Sequence, residues 1–183
     1  MPKDATATRS AILAAAIHTL QRGGVEGFTL DAVARRAGVV KGLVLYHYGS
    51  QARLLHTAAS QVQQQRDAAL AHAFAAGSGM AGVDACWEEL RRQAEDGTTR
   101  AWLSLCGAGL IDRAAKNEGF EGTARDAVID GCATALATGA SLADVRDAYH
   151  ALWLALLETL TPPAPAAKRS GALRTSERSE TAP

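Results

Sequence analysis

Residues 29–55, TLDAVARRAGVVKGLVLYHYGSQARLL, confine this chain more tightly than any other stretch. Two short helical patterns meet there at Gly38. Leu30, Val33, Ala34 and Ala37 fall on one face of the first, and this spacing predicts a helix over about Leu30–Ala37. Thr29 stands where a hydroxyl can cap its N-terminus, and Asp31 lies in the first turn, where the helix dipole favours negative charge. Gly38 can adopt the left-handed turn that ends the helix. A second short helix is expected over about Val40–Tyr48, before Gly49-Ser50. A bracing helix, a glycine turn and a short second helix make a helix-turn-helix. Ala34 is small where the two would approach, and Val39 and Val44 can seal the core between them. Lys41 and Gly42 then fall at the exposed start of the second helix, the part of such a unit that reaches base edges in a major groove.

The rest of the chain also reads as helix. Apolar residues make up 48% of the 183, alanine dominates them, and aromatics are only 5%. Alanine loses no side-chain entropy in a helix, whereas strands favour β-branched and aromatic residues. A first helix is expected over about Thr8–Arg22, with Ile12, Leu13, Ala16, Ile17 and Leu20 inward and Gly23-Gly24 at its end. Ser50 can cap a long fourth helix over about Gln51–Ala76. Beyond Gly77-Ser78-Gly79, helices are expected over about Val83–Glu95 and Arg100–Lys116, the latter capped by Thr98 or Thr99. Asn117–Gly122 reads as a loop, and Thr123–Ala137 as a helix. Ser141 and Asp144 open a last helix to about Leu160. From Thr161 the chain is rich in Pro, Ala and Ser with mixed charge, and it reads as a disordered tail over 161–183. The predicted fold class is all-α. A three-helix helix-turn-helix domain over 1–50 precedes a helical bundle over 51–160.

Net charge is zero, but its distribution is uneven. Residues 1–56 hold seven Lys and Arg against three acids, or +4, and the remaining twelve basic and sixteen acidic residues leave −4. A basic head on an acidic body suits a polyanion at one end only. Cys86, Cys106 and Cys132 show no CxxC spacing, which predicts reduced thiols in a cytoplasmic protein; a thiol redox switch is the minor alternative. No run reaches the roughly 20 apolar residues that span a bilayer. Ser10–Leu20 contains His18 and precedes Gln21-Arg22, so it does not read as a signal segment. No Ser-His-Asp arrangement, phosphate loop, HExxH or paired metal spacing is present, so no enzyme, metal or cofactor is expected.

Gly24, Val25, Gly27-Phe28-Thr29, Val33-Ala34-Arg35-Arg36-Ala37-Gly38-Val39, Lys41-Gly42, Tyr46-His47-Tyr48-Gly49-Ser50 and Leu54-Leu55 together resemble the TetR (tetracycline-repressor-like) family over about 50 residues. The resemblance implies that Thr29 caps its helix and touches a phosphate. It implies that Lys41, Gly42 and Leu43 face base edges, and that Tyr46, His47, Ser50 and Gln51 contact phosphate. Arg35 and Arg36 read either as a solvated face or, for Arg35, as a further DNA contact. Leu45 stands where the family usually has a phosphate-binding Tyr, Gln51 where Lys is usual, and Val40 where Ser, Thr or Ala is common.

Downstream, Phe74, Trp87, Leu90, Trp102, Leu105, Cys106, Leu110, Phe120, Tyr149, His150 and Trp153 are the large or polarisable side chains. Each alone reads as core. As a group with a few polar tips they suit a mostly apolar cavity, and the resemblance implies a small-molecule effector there. In the last helix Ala148, Ala151, Leu152, Ala155, Leu156 and Thr159 spread apolar surface over more than one face. That calls either for two partners, the core and a second subunit, or for a central intramolecular position. The family pairs its last two helices across a two-fold axis, so the resemblance implies a homodimer on a palindromic operator. The expected function is a ligand-responsive transcriptional regulator, in the commoner case a repressor released by its effector. The alternative is a helical small-molecule or partner-binding protein with little DNA affinity.

Overall fold

The computed structural model describes residues 2–111 and 119–160, with side chains over 5–111 and 124–159. Eight α-helices occur among the described residues: α1 Pro2–Gly23, α2 Leu30–Ala37, α3 Lys41–Tyr48, α4 Gln51–Ala75, α5 Met80–Glu95, α6 Thr98–Gly107, α7 Gly119–Ala137 and α8 Leu142–Leu160. The all-α class expected from the sequence holds. The tail from Thr161 and the side chain of Phe120 lie outside the described residues.

The largest departure is α6, which ends at Gly107 instead of running toward Lys116. The Gly109 N–H donates to the Cys106 carbonyl at 3.0 Å and the Leu110 N–H to the Leu105 carbonyl at 2.9 Å. These bonds satisfy the terminal carbonyls and stop the helix. Neither Thr98 nor Thr99 caps its start. The Asp96 carboxylate accepts from the Thr98 N–H at 2.8 Å, Thr98 Oγ1 accepts from Gln21 Nε2 at 3.1 Å, and Thr99 is buried. The other differences are smaller: α1 begins at Pro2, α5 at Met80, and α7 at Gly119, inside the expected loop.

Two apolar clusters organise the packing. Ile12, Ala16 and Leu20 of α1 meet Val33, Val44, Leu54, Ala58 and Val62, and α6 completes this cluster with Trp102 and Leu105. Leu70, at the far end of α4, joins Cys86, Trp87 and Leu90 of α5, Ile129 and Ala133 of α7, and Val145, Tyr149 and Trp153 of α8. Each large side chain shut from water in this way contributes about 1.5–3 kcal/mol. Helix α4 takes part in both clusters. Arg66 lies between them at 6% exposure, its Cζ 3.8 Å above the Trp102 ring and its Nη2 2.9 Å from Asp130 of α7.

Burial pushes the Cys86 and Cys132 thiols up, so both stay protonated and poorly nucleophilic. Among the described residues no helix is long and apolar enough to cross a membrane.

One polar clasp ties α8 to α5 and sets a pH dependence. His150 Nε2 lies 2.8 Å from Asp84 Oδ1, and its Nδ1 lies 2.8 Å from the Arg146 carbonyl. Only the imidazolium donates both bonds at once, and Asp84 first, then the carbonyl, raises the His150 pKa. A folded-state value above the unfolded ~6.5 gives stabilisation that is complete below about pH 6.5 and disappears as pH rises through the folded value. Asp84 is 61% exposed, so solvent screening holds the gain below about 1 kcal/mol. His150→Ala should therefore lower the melting temperature at about pH 6 and leave it unchanged at about pH 9. Equal losses at both would show that packing, not charge, holds this contact.

Candidate nucleic-acid interface

The head is assembled by local backbone chemistry. Thr29 is extended at φ −128° and ψ 153°, and its Oγ1 accepts from the Ala32 N–H at 3.1 Å. This is the cap expected from the sequence. Gly38 closes α2 at φ +68°, and the following Val39 N–H reaches back to the Ala34 carbonyl at 3.0 Å. A side chain rarely adopts that φ, so the turn between α2 and α3 depends on glycine.

Helix α3 turns Val44 and Tyr48 inward, at 0% and 6% exposure. The Tyr48 hydroxyl donates to the Arg9 carbonyl at 2.8 Å, and the Arg9 guanidinium sits 5.2 Å from the Tyr48 ring centroid. Helix α1 thus braces α3 from behind. The opposite side of α3 faces outward: Lys41, Gly42, Leu45 and Tyr46 are exposed, and Leu43 and His47 half-exposed. Tyr46 is 81% exposed and Val40, just before the helix, 73%. Tyr46 and His47 meet edge to face, with centroids 5.3 Å apart. A Cβ on Gly42 would meet nothing within 4 Å. Packing therefore does not require glycine there, although an interior glycine weakens a helix by about 1 kcal/mol relative to alanine.

The flanking residues are arranged around this face. Ser50 Oγ caps α4 by accepting from the Arg53 N–H at 3.2 Å. Gln51 is exposed, yet its Nε2 donates to the Phe28 carbonyl at 3.0 Å, bracing the connection between α1 and α2. Lys41 Nζ lies 3.0 Å from Asp31 Oδ2, with both side chains more than half exposed. Arg35 lines an open groove of about 510 Å³ with Thr19, Arg22 and Arg36, between α1 and α2. Sequence reasoning missed the Asp31–Lys41 pair, although Asp31 and Lys41 flank the turn, and missed the exposure of Val40.

The structure divides the expected effector-site residues between the two clusters. Trp102 and Leu105 pack in the first cluster, with Cys106 and Leu110 beside them. Trp87, Leu90, Tyr149 and Trp153 pack in the second, with Phe74 against them. The Tyr149 hydroxyl donates to the Val83 carbonyl at 2.9 Å. A cavity of about 280 Å³ lies elsewhere, where α1, α4 and α5 meet, and none of these side chains lines it.

Residues 12–58 match the family model described as bacterial regulatory proteins, tetR family. No curated protein matches the chain. Among solved structures, a TetR family transcription regulator from Marinobacter aquaeolei VT8 aligns at TM-score 0.53 and 17% identity, over 87% of this chain and 88% of that one. A TetR-family transcriptional regulator from Rhodococcus sp. aligns at TM-score 0.51 and 21% identity, over 84% and 98%. A gamma-butyrolactone receptor, described as ArpA-like, aligns at TM-score 0.55 and 20% identity, over 87% and 91%.

Proposed function

From the premise that this chain carries a tetR-family N-terminal module on the fold of TetR-family regulators, we propose that it is a ligand-responsive transcriptional repressor. A homodimer binds palindromic duplex DNA and lets go when a small molecule binds. The reading head is residues 1–50, and the body, 51–160, carries the effector and dimer functions. The observation that carries this reading is the outward side of α3. Its start presents Lys41 and an otherwise unneeded glycine, with Leu43 behind them and Tyr46 and His47 one turn on, and α1 holds the helix rigidly from below. A glycine that nothing inside the protein requires suits close approach by a partner's surface. In this reading Lys41, Gly42 and Leu43 meet base edges, while Thr29, Arg35, Tyr46, His47, Ser50 and Gln51 position the phosphate backbone.

Dimerisation through α7 and α8 is supported by the outer face of α8. Val145, Tyr149 and Trp153 point into the body, while Leu142, Leu152 and Leu154 stay 47–51% exposed with Ala148, Ala151 and Ala155 beside them. A helix with two apolar faces suits two partners. A second copy there places two α3 helices on one duplex, about one turn apart.

A second reading, a body that has kept its ligand but whose head binds DNA weakly, draws on Lys41 being paired with Asp31 and on the Gln51 amide being committed to Phe28. Salt titration separates the two. The full chain is expected to retain a palindromic duplex at low ionic strength, with log K falling linearly in log salt and a slope no steeper than about −4 for the dimer. The slope is shallow because Thr29, Tyr46 and Ser50 are neutral donors, which release no counterions. Failure to hold any duplex at low salt would leave the second reading standing.

A further inference from the structure

The cavity of about 280 Å³ is polar where a ligand site in a helical bundle is usually apolar. Ile17 and Val62 are its apolar wall, and glutamines and arginines make most of the rest. Its size falls at the lower edge of small-molecule sites, which run from about 300 Å³ upward.

Two of its lining residues carry buried polar atoms left unpaired. Gln93 is 0% exposed, and its Nε2 donates to Glu89 at 2.6 Å, but its Oε1 has no hydrogen-bond partner. Arg66 is 6% exposed, and its Nε has none. Native proteins pair nearly all such atoms, with protein, water or ligand. Here one orphan is an acceptor and the other a donor.

Charge on the same wall is already compensated. Arg66 has Asp130 at 2.9 Å and Asp67 at 3.9 Å. Arg92 has Glu89 at 2.6 Å and Asp96 at 2.7 Å. Each guanidinium thus faces two carboxylates, and an anion entering the cavity would find no unmatched positive charge.

We infer that this cavity binds a small uncharged molecule with an amide-type edge, its carbonyl oxygen accepting from Arg66 and its N–H donating to Gln93 Oε1. This rests on the ligand-responsive reading and gives that ligand its place and chemistry. The place also couples the two parts of the chain. Ile17 and Gln21 belong to α1, which braces α3, Gln93 belongs to α5, Asp96 follows its end and Thr98 starts α6. Gln21 and Thr98 already join across the gap, as does Arg100 Nη1 to the Arg22 carbonyl at 3.3 Å. An occupant presses on the reading head and the body together.

The test uses the full chain without DNA, with benzamide as the probe and benzoate as its anionic counterpart. Ligand-observed NMR should give benzamide a dissociation constant of about 1 mM, as suits so small a molecule. Benzoate should bind about tenfold more weakly or worse. Gln93→Leu, which removes the orphan acceptor at similar volume together with the bond to Glu89, should lose benzamide by about tenfold or more while still melting cooperatively. Gln65→Trp, at an exposed position on the rim, should block entry with folding intact. Benzamide binding unchanged in both variants would overturn the assignment. So would benzoate binding as well as benzamide, or no benzamide binding up to about 10 mM. Because no duplex is present, a head that does not read DNA leaves these results untouched; that failure shows only in the salt titration.

Discussion

Lys41→Ala should weaken binding of the dimer to its own palindrome by about two orders of magnitude while leaving a scrambled duplex nearly unaffected. A side chain reading a base edge contributes about 1–3 kcal/mol, and a two-fold dimer loses that contact twice. Tyr46→Ala should weaken both duplexes alike, because a phosphate contact positions the protein without reading sequence. Neither change should touch the fold. Tyr46 is 81% exposed, and the Lys41 side chain is 51% exposed and paired with the exposed Asp31. Surface substitutions of this kind stay within about 0.5 kcal/mol, and exposed ion pairs contribute about 0–1. Asp31→Asn works in the opposite direction. It frees Lys41 and removes a carboxylate from beside the duplex, so affinity should rise several-fold. Electrophoretic shift assays on the two duplexes, with melting curves as the control, read all three variants. An unaltered Lys41→Ala titration would remove α3 as the reading helix. A loss shared equally by both duplexes would make Lys41 a backbone contact.

The head was legible in the sequence because each of its decisions is local. A hydroxyl three residues from an N–H, a glycine at a left-handed turn and a period of 3.6 all act within one or two turns of chain. Thr29, Gly38 and Val44 accordingly stand where the pattern puts them. The end of α6 was equally local but was masked by composition. Gly107 and Gly109 are the stop signal, and Gly109 adopts φ +69°, but the good helix formers on both sides hid it.

The body was less legible, for a physical reason. Periodicity shows that Trp102 and Trp153 face inward but not which core each joins, and they fall in different clusters. The aromatic side chains expected around an effector are divided between the two clusters, and the cavity between α1, α4 and α5 is lined mostly by polar ones. Gln21, Arg66 and Gln93 sit on three different helices, and each alone reads as one polar residue on an amphipathic helix. Only packing shows that Arg66 and Gln93 each carry a buried polar atom without a partner.

The junction beside that cavity depends on Gly97, and Gly97→Ala should lower stability by about 3 kcal/mol. Gly97 adopts φ +86°, and a Cβ there would stand 2.4 Å from the Gln21 carbonyl oxygen. The left-handed conformation costs alanine about 1 kcal/mol or more, and forcing backbone apart in a packed contact adds about 1–3 kcal/mol. For a chain of this size the melting temperature should fall by about 10 °C. Gly109→Ala is the matched control, since Gly109 is at φ +69° with nothing within 4 Å of its would-be Cβ. It carries the conformational term alone and should fall by about 3 °C. The larger effect should reach function as well. Displacing the Gln21 end of α1 moves the helix whose Arg9 carbonyl holds Tyr48 of α3. Well below its melting point, the Gly97→Ala protein should still hold duplex at least tenfold more weakly than the Gly109→Ala protein. If the two variants melt together, the close approach of α1 to the α5–α6 turn is not a real constraint. If they melt apart but bind duplex equally, the turn stabilises the fold without positioning the head.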